Sequence, residues 1–129
     1  MVEPFGVTFH DFDGGRVIAL KGELDASTCR GLAESLIGPA GSLIVVDLCE
    51  LTFMDSSGIG AIQAARRRTI EDGGNLVVCR PRPMVYRVLE ITGLEIWVTD
   101  WNPEWSNDST RDMRRKDQLS FNAEWTNAT

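Results

Sequence analysis

The 129-residue sequence has one histidine, His10, and three widely spaced cysteines, Cys29, Cys49 and Cys79. No C-x-x-C pair is present, so neither a zinc knuckle nor a disulfide framework is indicated, and we expect reduced, structural thiols. The lack of a second histidine removes most histidine-based metal sites and weakens any Ser-His-Asp proposal. We therefore expect no metal, no cofactor and no catalytic role for His10.

Long hydrophobic runs and excess positive charge are also missing. No apolar stretch approaches the roughly 20 residues that a membrane span needs, and the first residues do not have the pattern of a signal peptide. Thirteen Lys and Arg residues against nineteen Asp and Glu give a net charge of −6, which disfavours nucleic acid or an anionic membrane as a partner. The sequence thus predicts a cytoplasmic protein with no direct nucleic-acid or membrane partner.

The residues that are present suit a single globular domain. Hydrophobic residues make up 43% of the chain and charged residues 25%. Short β-rich stretches at 7–12 and 16–21 flank Asp-Gly-Gly and predict an opening hairpin. The near-continuous apolar run at 43–48 predicts a central parallel strand that is covered on both faces, and 76–79 and 95–99 predict two further strands.

Three amphipathic segments predict helices between these strands. Asp25 is expected to cap the first, whose apolar positions lie within 29–36. The second is predicted over 57–72, with Ile70 facing inward, and the third over 83–93. The order β-β-α-β-α-β-α-β predicts an α/β fold with a mixed sheet, in which right-handed crossovers join the parallel strands.

The composition changes near the end of the chain. Residues 100–129 are rich in Asn, Ser, Thr and charged side chains. We therefore expect a domain at 1–99 and a polar C-terminal extension that is partly ordered or disordered. A proline interrupts any single helix through Trp97, Trp101 and Trp105. We expect these indoles to cover a sheet edge or a helix end, with docking of a partner as the alternative.

The segment 51–60 is predicted as a loop that joins the carboxyl end of the central strand to a helix N-terminus. Open α/β sheets tend to place ligand sites there. Asp55, Ser56 and Ser57 are preferred capping residues, and the same helix end would stabilise an anion, including a phosphate on serine. From the residues alone, capping is the favoured interpretation and a phosphoserine is the alternative.

Enzyme motifs fit this loop poorly. Met54 occupies the first glycine position of a nucleophile elbow around Ser56. Gln63 stands where a dinucleotide fingerprint needs its third glycine, and the sequence contains no G-K-[ST] phosphate loop. Gly58 and Gly60 are instead expected to permit close packing of the helix.

A magnesium pocket similar to that of a phospho-aspartate receiver domain is another alternative. Its carboxylates would come from Glu23, Asp25, Asp47 and Asp55. A receiver domain needs a lysine after its last strand, and neither of the two lysines lies there. This alternative is therefore disfavoured.

Basic residues are concentrated in the second half of the predicted domain. They are Arg66, Arg67, Arg68, Arg80, Arg82 and Arg87. Their positions late in one helix and near the start of the next favour solvated structural charge. Contact with the acidic surface of a partner is the alternative.

Several motifs resemble those of STAS domains, specifically of bacterial anti-sigma factor antagonists. They are Gly-Glu-Leu-Asp at 22–25, Val-Asp-Leu at 46–48 and Leu-Thr-Phe-Met-Asp-Ser-Ser-Gly-Ile-Gly at 51–60. The glycine pair at 73–74 and the stretch 89–94 fit the same pattern. The resemblance covers most of the predicted domain, but the C-terminal extension lacks the apolar helical pattern that usually closes the family's fold.

The resemblance implies a non-enzymatic protein that binds an anti-sigma serine kinase and thereby frees a sigma factor. The kinase would phosphorylate Ser56, the first serine after the aspartate, and a PP2C-type phosphatase would remove the phosphate. Ser57 would be the neighbouring cap. The implied partner-binding residues are Glu23, Asp25, Asp55, Ser56, Ser57 and Gly58.

Two alternatives stay open, one from the same family and one from a different class of protein. The first is a STAS scaffold or sensor module of a stress-signalling complex. The second, less favoured, is a small nucleotide-binding protein, against which the missing phosphate loop counts. A weak homodimer is compatible with each of these functions.

Overall fold

The computed structural model of the chain describes residues 4–100, which form one mixed sheet with three α-helices. In chain order the elements are β1 (Gly6–Phe12), β2 (Gly15–Leu24), α1 (Leu32–Ser35), β3 (Leu43–Met54), α2 (Ser56–Glu71), β4 (Asn75–Cys79), α3 (Pro83–Ile91), a 3-10 turn (Glu95–Trp97) and β5 (Val98–Thr99). The predicted order of strands and helices is confirmed. The boundary predicted at residue 99 stays a prediction.

The five strands lie side by side in the order in which they occur in the chain. β1 is antiparallel to β2, and the pairs β2–β3, β3–β4 and β4–β5 are parallel, so β3 is central as predicted. Each parallel connection moves the chain by one strand in the same direction. Crossovers of one hand therefore place all three helices on the same face of the sheet.

The main core lies between the helices and this face. Fully buried strand residues such as Ile18, Val46 and Leu76 meet Ile62 of α2 and Leu89 of α3. A smaller buried cluster lies on the opposite face, which we call the second face, and includes Val17 and Val45. The prediction that the run 43–48 is covered on both faces is thus confirmed.

Several boundaries differ from those predicted. β3 continues to Met54 because β2 pairs with it through two register shifts, so the first four residues of the predicted loop 51–60 are strand. The first helix is a single turn, because Gly31 adopts a left-handed φ of 79° immediately before Leu32. The predicted last strand is largely a 3-10 turn. Ile70, predicted to face inward, is 39% exposed.

Gly58 is required by the packing beneath α2. A Cβ atom at this position would lie 2.8 Å from Leu24 Cγ and 2.8 Å from Met54 Cγ, and both side chains are buried. The expectation of close packing is therefore confirmed for Gly58. It is wrong for Gly60, which is exposed and would have no described atom within 4 Å of its Cβ.

One buried ion pair links β3 to the loop after β4. Arg80 Nε donates to Asp47 Oδ1 at 3.1 Å and Arg80 Nη2 donates to Asp47 Oδ2 at 2.6 Å. The Asp47 side chain is 6% exposed and that of Arg80 is 21% exposed. Arg80 adopts a φ of 53°, a left-handed conformation that is uncommon outside glycine. The bidentate contact forms with Arg80 in this conformation.

We expect Gly58→Ala to lower the free energy of unfolding by about 1–2 kcal/mol, because overpacking against Leu24 and Met54 outweighs the better helix propensity of alanine. The matched control is Gly60→Ala, which introduces the same methyl group into open space in the same helix. It should raise the free energy of unfolding by up to about 1 kcal/mol. Chemical denaturation measures both, and equal effects would contradict the packing role.

Asp47→Ala removes both acceptors of the bidentate contact with Arg80 and should lower the free energy of unfolding by about 3 kcal/mol. Glu50→Ala is the control, since Glu50 is an exposed carboxylate on the same strand. Its effect should stay within about 0.5 kcal/mol. Thermal and urea unfolding distinguish the two, and a small loss in Asp47→Ala would show that the pair contributes little.

Candidate functional site

The carboxyl ends of β2 and β3 bring two loops together. The last register pair of these strands is Leu24 with Met54. The next backbone N–H, that of Asp55, donates to the Leu24 carbonyl at 3.2 Å. Thr52 Oγ1 donates to the Gly22 carbonyl at 3.0 Å and fastens the same ends. The segment that follows Leu24 therefore lies beside the start of α2.

Asp55 is the N-cap of α2. Its Oδ1 accepts hydrogen bonds from the backbone N–H groups of Ser57, at 2.9 Å, and Gly58, at 3.3 Å. The expectation that Ser57 would cap the helix is therefore wrong. The backbone N–H of Ser57 donates to the Asp55 cap, and the Ser57 side chain is half-buried. Asp55 does so because its short side chain follows an extended backbone at the end of β3.

Ser56 is the first residue of α2 and is exposed. Within residues 4–100 its hydroxyl makes no hydrogen bond, because Asp55 already provides the cap. The hydroxyl lies at the N-terminal end of a 16-residue helix, where the unpaired N–H groups and the helix dipole favour negative charge. The side chain is thus presented to solvent at a position that can hold a phosphate.

Asp25 organises the neighbouring loop. Its Oδ1 accepts from Ser27 N at 2.9 Å, Ser27 Oγ at 2.7 Å and Thr28 N at 3.2 Å. The hydrogen bond from the Ser27 hydroxyl is the main cause that lowers the pKa of the Asp25 carboxyl, and the backbone bonds add to it. Asp25 therefore caps a turn and not the helix for which it was predicted, since α1 begins only at Leu32.

Ser27 and Thr28 also belong to this site, and none of the predicted site residues included them. Besides holding Asp25, Thr28 Oγ1 donates to the Glu23 carbonyl at 2.8 Å and closes the loop back onto the end of β2. The sequence does contain a local indication of this turn. Asp25 is followed two residues later by Ser27, and an aspartate that accepts from the backbone two residues on forms an Asx-turn.

The predicted partner-binding residues fall into two groups. Glu23, Asp25, Asp55 and Ser57 are half-buried and Ser56 is exposed. Glu23 and Asp25 lie at and just after the end of β2, and the other three lie at the start of α2. Gly58 is buried, and the structure gives it a packing role. The adjoining ends of β2 and β3 therefore carry the carboxylates of Glu23, Asp25 and Asp55, the last of which directly precedes Ser56.

Asp47 does not belong to this site. Its carboxylate binds Arg80, and β3 runs seven residues further before it reaches Asp55, a distance of roughly 25 Å along the strand. The magnesium pocket that would have combined Asp47 with Asp55 is therefore not formed. Among residues 4–100 no group of three or more acidic, histidine or cysteine side chains could hold a metal ion.

Three of the six clustered arginines have structural contacts. Arg80 binds Asp47, and Arg82 Nε donates to the Cys49 carbonyl at 2.7 Å. The Arg66 guanidinium lies 5.0 Å from the centre of the Trp97 ring, and burial lowers its pKa to about 10. These contacts favour the structural interpretation for Arg66, Arg80 and Arg82, whereas the other three arginines are exposed.

His10 is far from this site in the fold. It lies on β1, an edge strand that is separated from β3 by β2, and its side chain is exposed.

Among the described helices, none is long and apolar enough to cross a membrane.

The sequence of this chain matches a known protein family and named relatives. Residues 8–104 match the model of the STAS domain. An anti-sigma F factor antagonist of Paenibacillus polymyxa is 35% identical over 85 residues, which are 63% of this chain and 73% of that protein.

Solved structures are also similar. The anti-sigma factor antagonist SpoIIAA in its unphosphorylated form superposes with a TM-score of 0.69 and 26% identity, over 83% of this chain and 97% of that one. The phosphorylated form of SpoIIAA, a Bacillus cell fate determinant, gives a TM-score of 0.62 and 26% identity, over 83% and 99% of the two chains. On the match of sequence and fold together, the chain belongs to the STAS domain family.

Proposed function

We propose that this chain is an anti-sigma factor antagonist of the SpoIIAA type. In its unmodified form it binds an anti-sigma serine kinase through the surface around Ser56 and frees a sigma factor. Phosphorylation of Ser56 ends that binding. The observation that carries the proposal is the exposed Ser56 hydroxyl at the start of α2, with no other role among the described residues.

The comparisons support this function through the proteins they match. The Paenibacillus polymyxa protein and SpoIIAA are both named as anti-sigma factor antagonists. The structure of SpoIIAA has been solved in an unphosphorylated and a phosphorylated form. In this chain, Ser56 is the serine whose position suits such a modification. Ser57 is less suited because it is half-buried and its backbone is engaged by the cap.

The unmodified surface suits a partner with basic side chains. Asp55 directly precedes the neutral hydroxyl of Ser56, and Glu23 and Asp25 lie at the adjoining end of β2. The hydroxyl can be buried in an interface at little cost once it finds an acceptor. Hydrogen bonds hold Asp25 and Asp55 in place, so little side-chain entropy is lost when a partner binds them. The same exposed hydroxyl can enter the active site of a kinase.

Phosphate changes the interface and leaves the fold in place. It adds a charge of about −1.5 to −2 at Ser56, next to the carboxylate of Asp55. In the free domain the helix N-terminus stabilises this charge by up to roughly 2 kcal/mol. In a complex the dianion would have to lose its water at a point where the partner packs against a neutral hydroxyl, with its basic side chains already paired to the neighbouring carboxylates, which costs several kcal/mol.

The remaining features of the proposed cycle follow from this switch. A PP2C-type phosphatase would restore the hydroxyl by removing the phosphate. The phosphate would be accessible to this enzyme because Ser56 is exposed. The chain itself would act by binding and not as an enzyme, and the cycle would run in the cytoplasm, where kinase and sigma factor are found.

The first test concerns Ser56. Ser56→Ala should bind the kinase and resist phosphorylation, whereas Ser56→Glu should bind at least about tenfold more weakly, because a fixed charge mimics part of the phosphate. Isothermal titration with the kinase measures binding, and phosphopeptide mapping identifies the modified residue.

Ser57→Ala is the matched control, one residue along the same helix turn. It should remain a substrate, because its side chain is not the acceptor. Equal affinity of the unmodified and phosphorylated chains, or phosphate found only on Ser57, would overturn the proposed switch.

The second test separates the charge of Asp25 from its hydrogen bonds. Asp25→Asn keeps an oxygen that can accept from Ser27 and Thr28, so the free energy of unfolding should change by less than about 1 kcal/mol. Binding of the kinase should weaken by about tenfold, since a hydrogen bond to a charged group is worth more than one to a neutral group. Unchanged affinity would reduce Asp25 to a structural residue.

A further inference from the structure

β1 forms an open edge of the sheet. It is the first strand in the sheet order, and among residues 4–100 it pairs with β2 alone. Proteins usually protect such an edge with a bulge, a proline or a lysine, because its unpaired backbone groups invite pairing with another chain. The pairing of β1 with β2 has no register shift, and the strand contains neither proline nor lysine. Residues 8–11 are exposed, so the edge is accessible.

The backbone groups that point to this edge belong to Val7, Phe9 and Asp11. Two residues form the hairpin turn, so the pair that flanks it, Phe12 with Gly15, exchanges both of its hydrogen bonds. Bonded and non-bonded pairs then alternate along the ladder. The three residues occupy the non-bonded positions toward β2, and their N–H and C=O groups are therefore directed outward.

Phe9 adds an exposed apolar side chain to the centre of this row. It lies opposite Ile18 in the register, on the face that carries the helices, and is 52% exposed. The Arg16 guanidinium lies 5.5 Å from the centre of the ring and is also bound to Asp11. An apolar contact is thus available midway along the open backbone groups.

We propose that β1 pairs with β1 of a second copy of this chain, antiparallel and centred on Phe9. Two-fold symmetry then places Phe9 opposite Phe9 of the second copy and Val7 opposite Asp11 of the second copy. Each pair joins residues whose N–H and C=O groups point to the edge, so about six backbone hydrogen bonds form. Centring the pairing on Thr8 or His10 would leave one outward-pointing residue of each copy without a partner in β1.

The side chains of β1 suit a second copy as the occupant. The two Phe9 rings lie on the same face and cover each other, and aromatic pairs directly opposite in antiparallel strands are stabilising. On the second face Thr8 lies opposite His10. Asp11 faces the apolar Val7 of the second copy, so no like charges are opposed within the paired strands.

The charges at the ends of the pairing are complementary. The exposed Lys21 side chain passes over Gly6, since a Cβ atom on Gly6 would lie 2.8 Å from Lys21 Cε. Gly6 faces Phe12 of the second copy, the residue directly before the exposed Asp13 of its turn. Symmetry repeats this approach of a lysine to an aspartate at the other end of the interface.

The resulting dimer should be weak. β1 has only seven residues, and an edge of this length buries less surface than the roughly 1,200–2,000 Å² of a stable interface. Each chain also carries a net charge of −6, so the two copies repel each other at long range. We expect a dissociation constant of about 10 μM to 1 mM.

Sedimentation equilibrium of the full chain, at concentrations up to about 2 mM, measures the association. Phe9→Lys should weaken it at least about tenfold, because two ammonium groups then lie directly opposite each other. Ile91→Lys is the matched control, since Ile91 is an exposed apolar residue on α3, and it should stay within about twofold of the unsubstituted chain. An equimolar mixture of Phe9→Lys and Phe9→Glu should associate at least about tenfold more tightly than either variant alone.

Amide chemical shifts locate the interface in the unsubstituted chain. The amide protons of Val7, Phe9 and Asp11 should shift as the concentration rises and exchange more slowly with solvent. Those of Thr8 and His10 are already bonded to β2 and should change less.

A chain that stays monomeric at the highest concentration would overturn the proposal, as would equal association of Phe9→Lys and the unsubstituted chain. Protection of the three outward-pointing amides at every concentration would show that the edge is covered within one chain and would overturn it as well. If a Phe9 variant loses its cooperative unfolding transition, the amide shifts of the unsubstituted chain decide. No arm of the experiment uses the kinase or changes Ser56, so the outcome is independent of the proposed function.

Discussion

The parallel pairing of β2 with β3, maintained to the last residue of each strand, is the constraint on which the rest of the site depends. Two register shifts allow the 12 residues of β3 to follow the 10 residues of β2. The ladder therefore ends with Leu24 beside Met54, and the bond from Asp55 N to the Leu24 carbonyl extends it by one step. Had β3 ended at residue 48, the turn that carries Asp25 and the helix start that carries Ser56 would not meet.

The packing below this junction fixes the direction of α2. Gly58 lets the first turn of the helix lie directly on Leu24 and Met54, the same two residues that end the ladder. Asp55 then satisfies two of the N–H groups of that turn. The strand ladder, the packing of Gly58 and the hydrogen bonds of Asp55 all fix the position of the first turn of the helix. The exposed side chain of Ser56 is therefore presented by a rigid element and not by a loose loop.

The sequence predicted the features that depend on local patterns and missed those that depend on distant partners. The apolar run 43–48 identified the central strand, and the Asp-Ser-Ser-Gly motif placed a helix start within one residue of the observed one. The strand beyond residue 48 was missed because exposed polar residues such as Glu50 and Thr52 interrupt its apolar pattern. Asp47 could have been a metal ligand or an ion-pair partner. Arg80, 33 residues away, decides between them, and no local pattern reveals such a contact.

The same anchoring explains how the proposed switch can act without a conformational change. A phosphate on Ser56 would repel the carboxylates of Asp55 and Asp25. Those carboxylates cannot simply turn away, because Asp55 holds two backbone N–H groups and Asp25 holds two backbone groups and a hydroxyl. Rotation would break bonds that are worth about 1 kcal/mol or more each. The repulsion is therefore not relieved within the domain. The added charge acts outward, on a partner that approaches the surface, where desolvation makes it most costly.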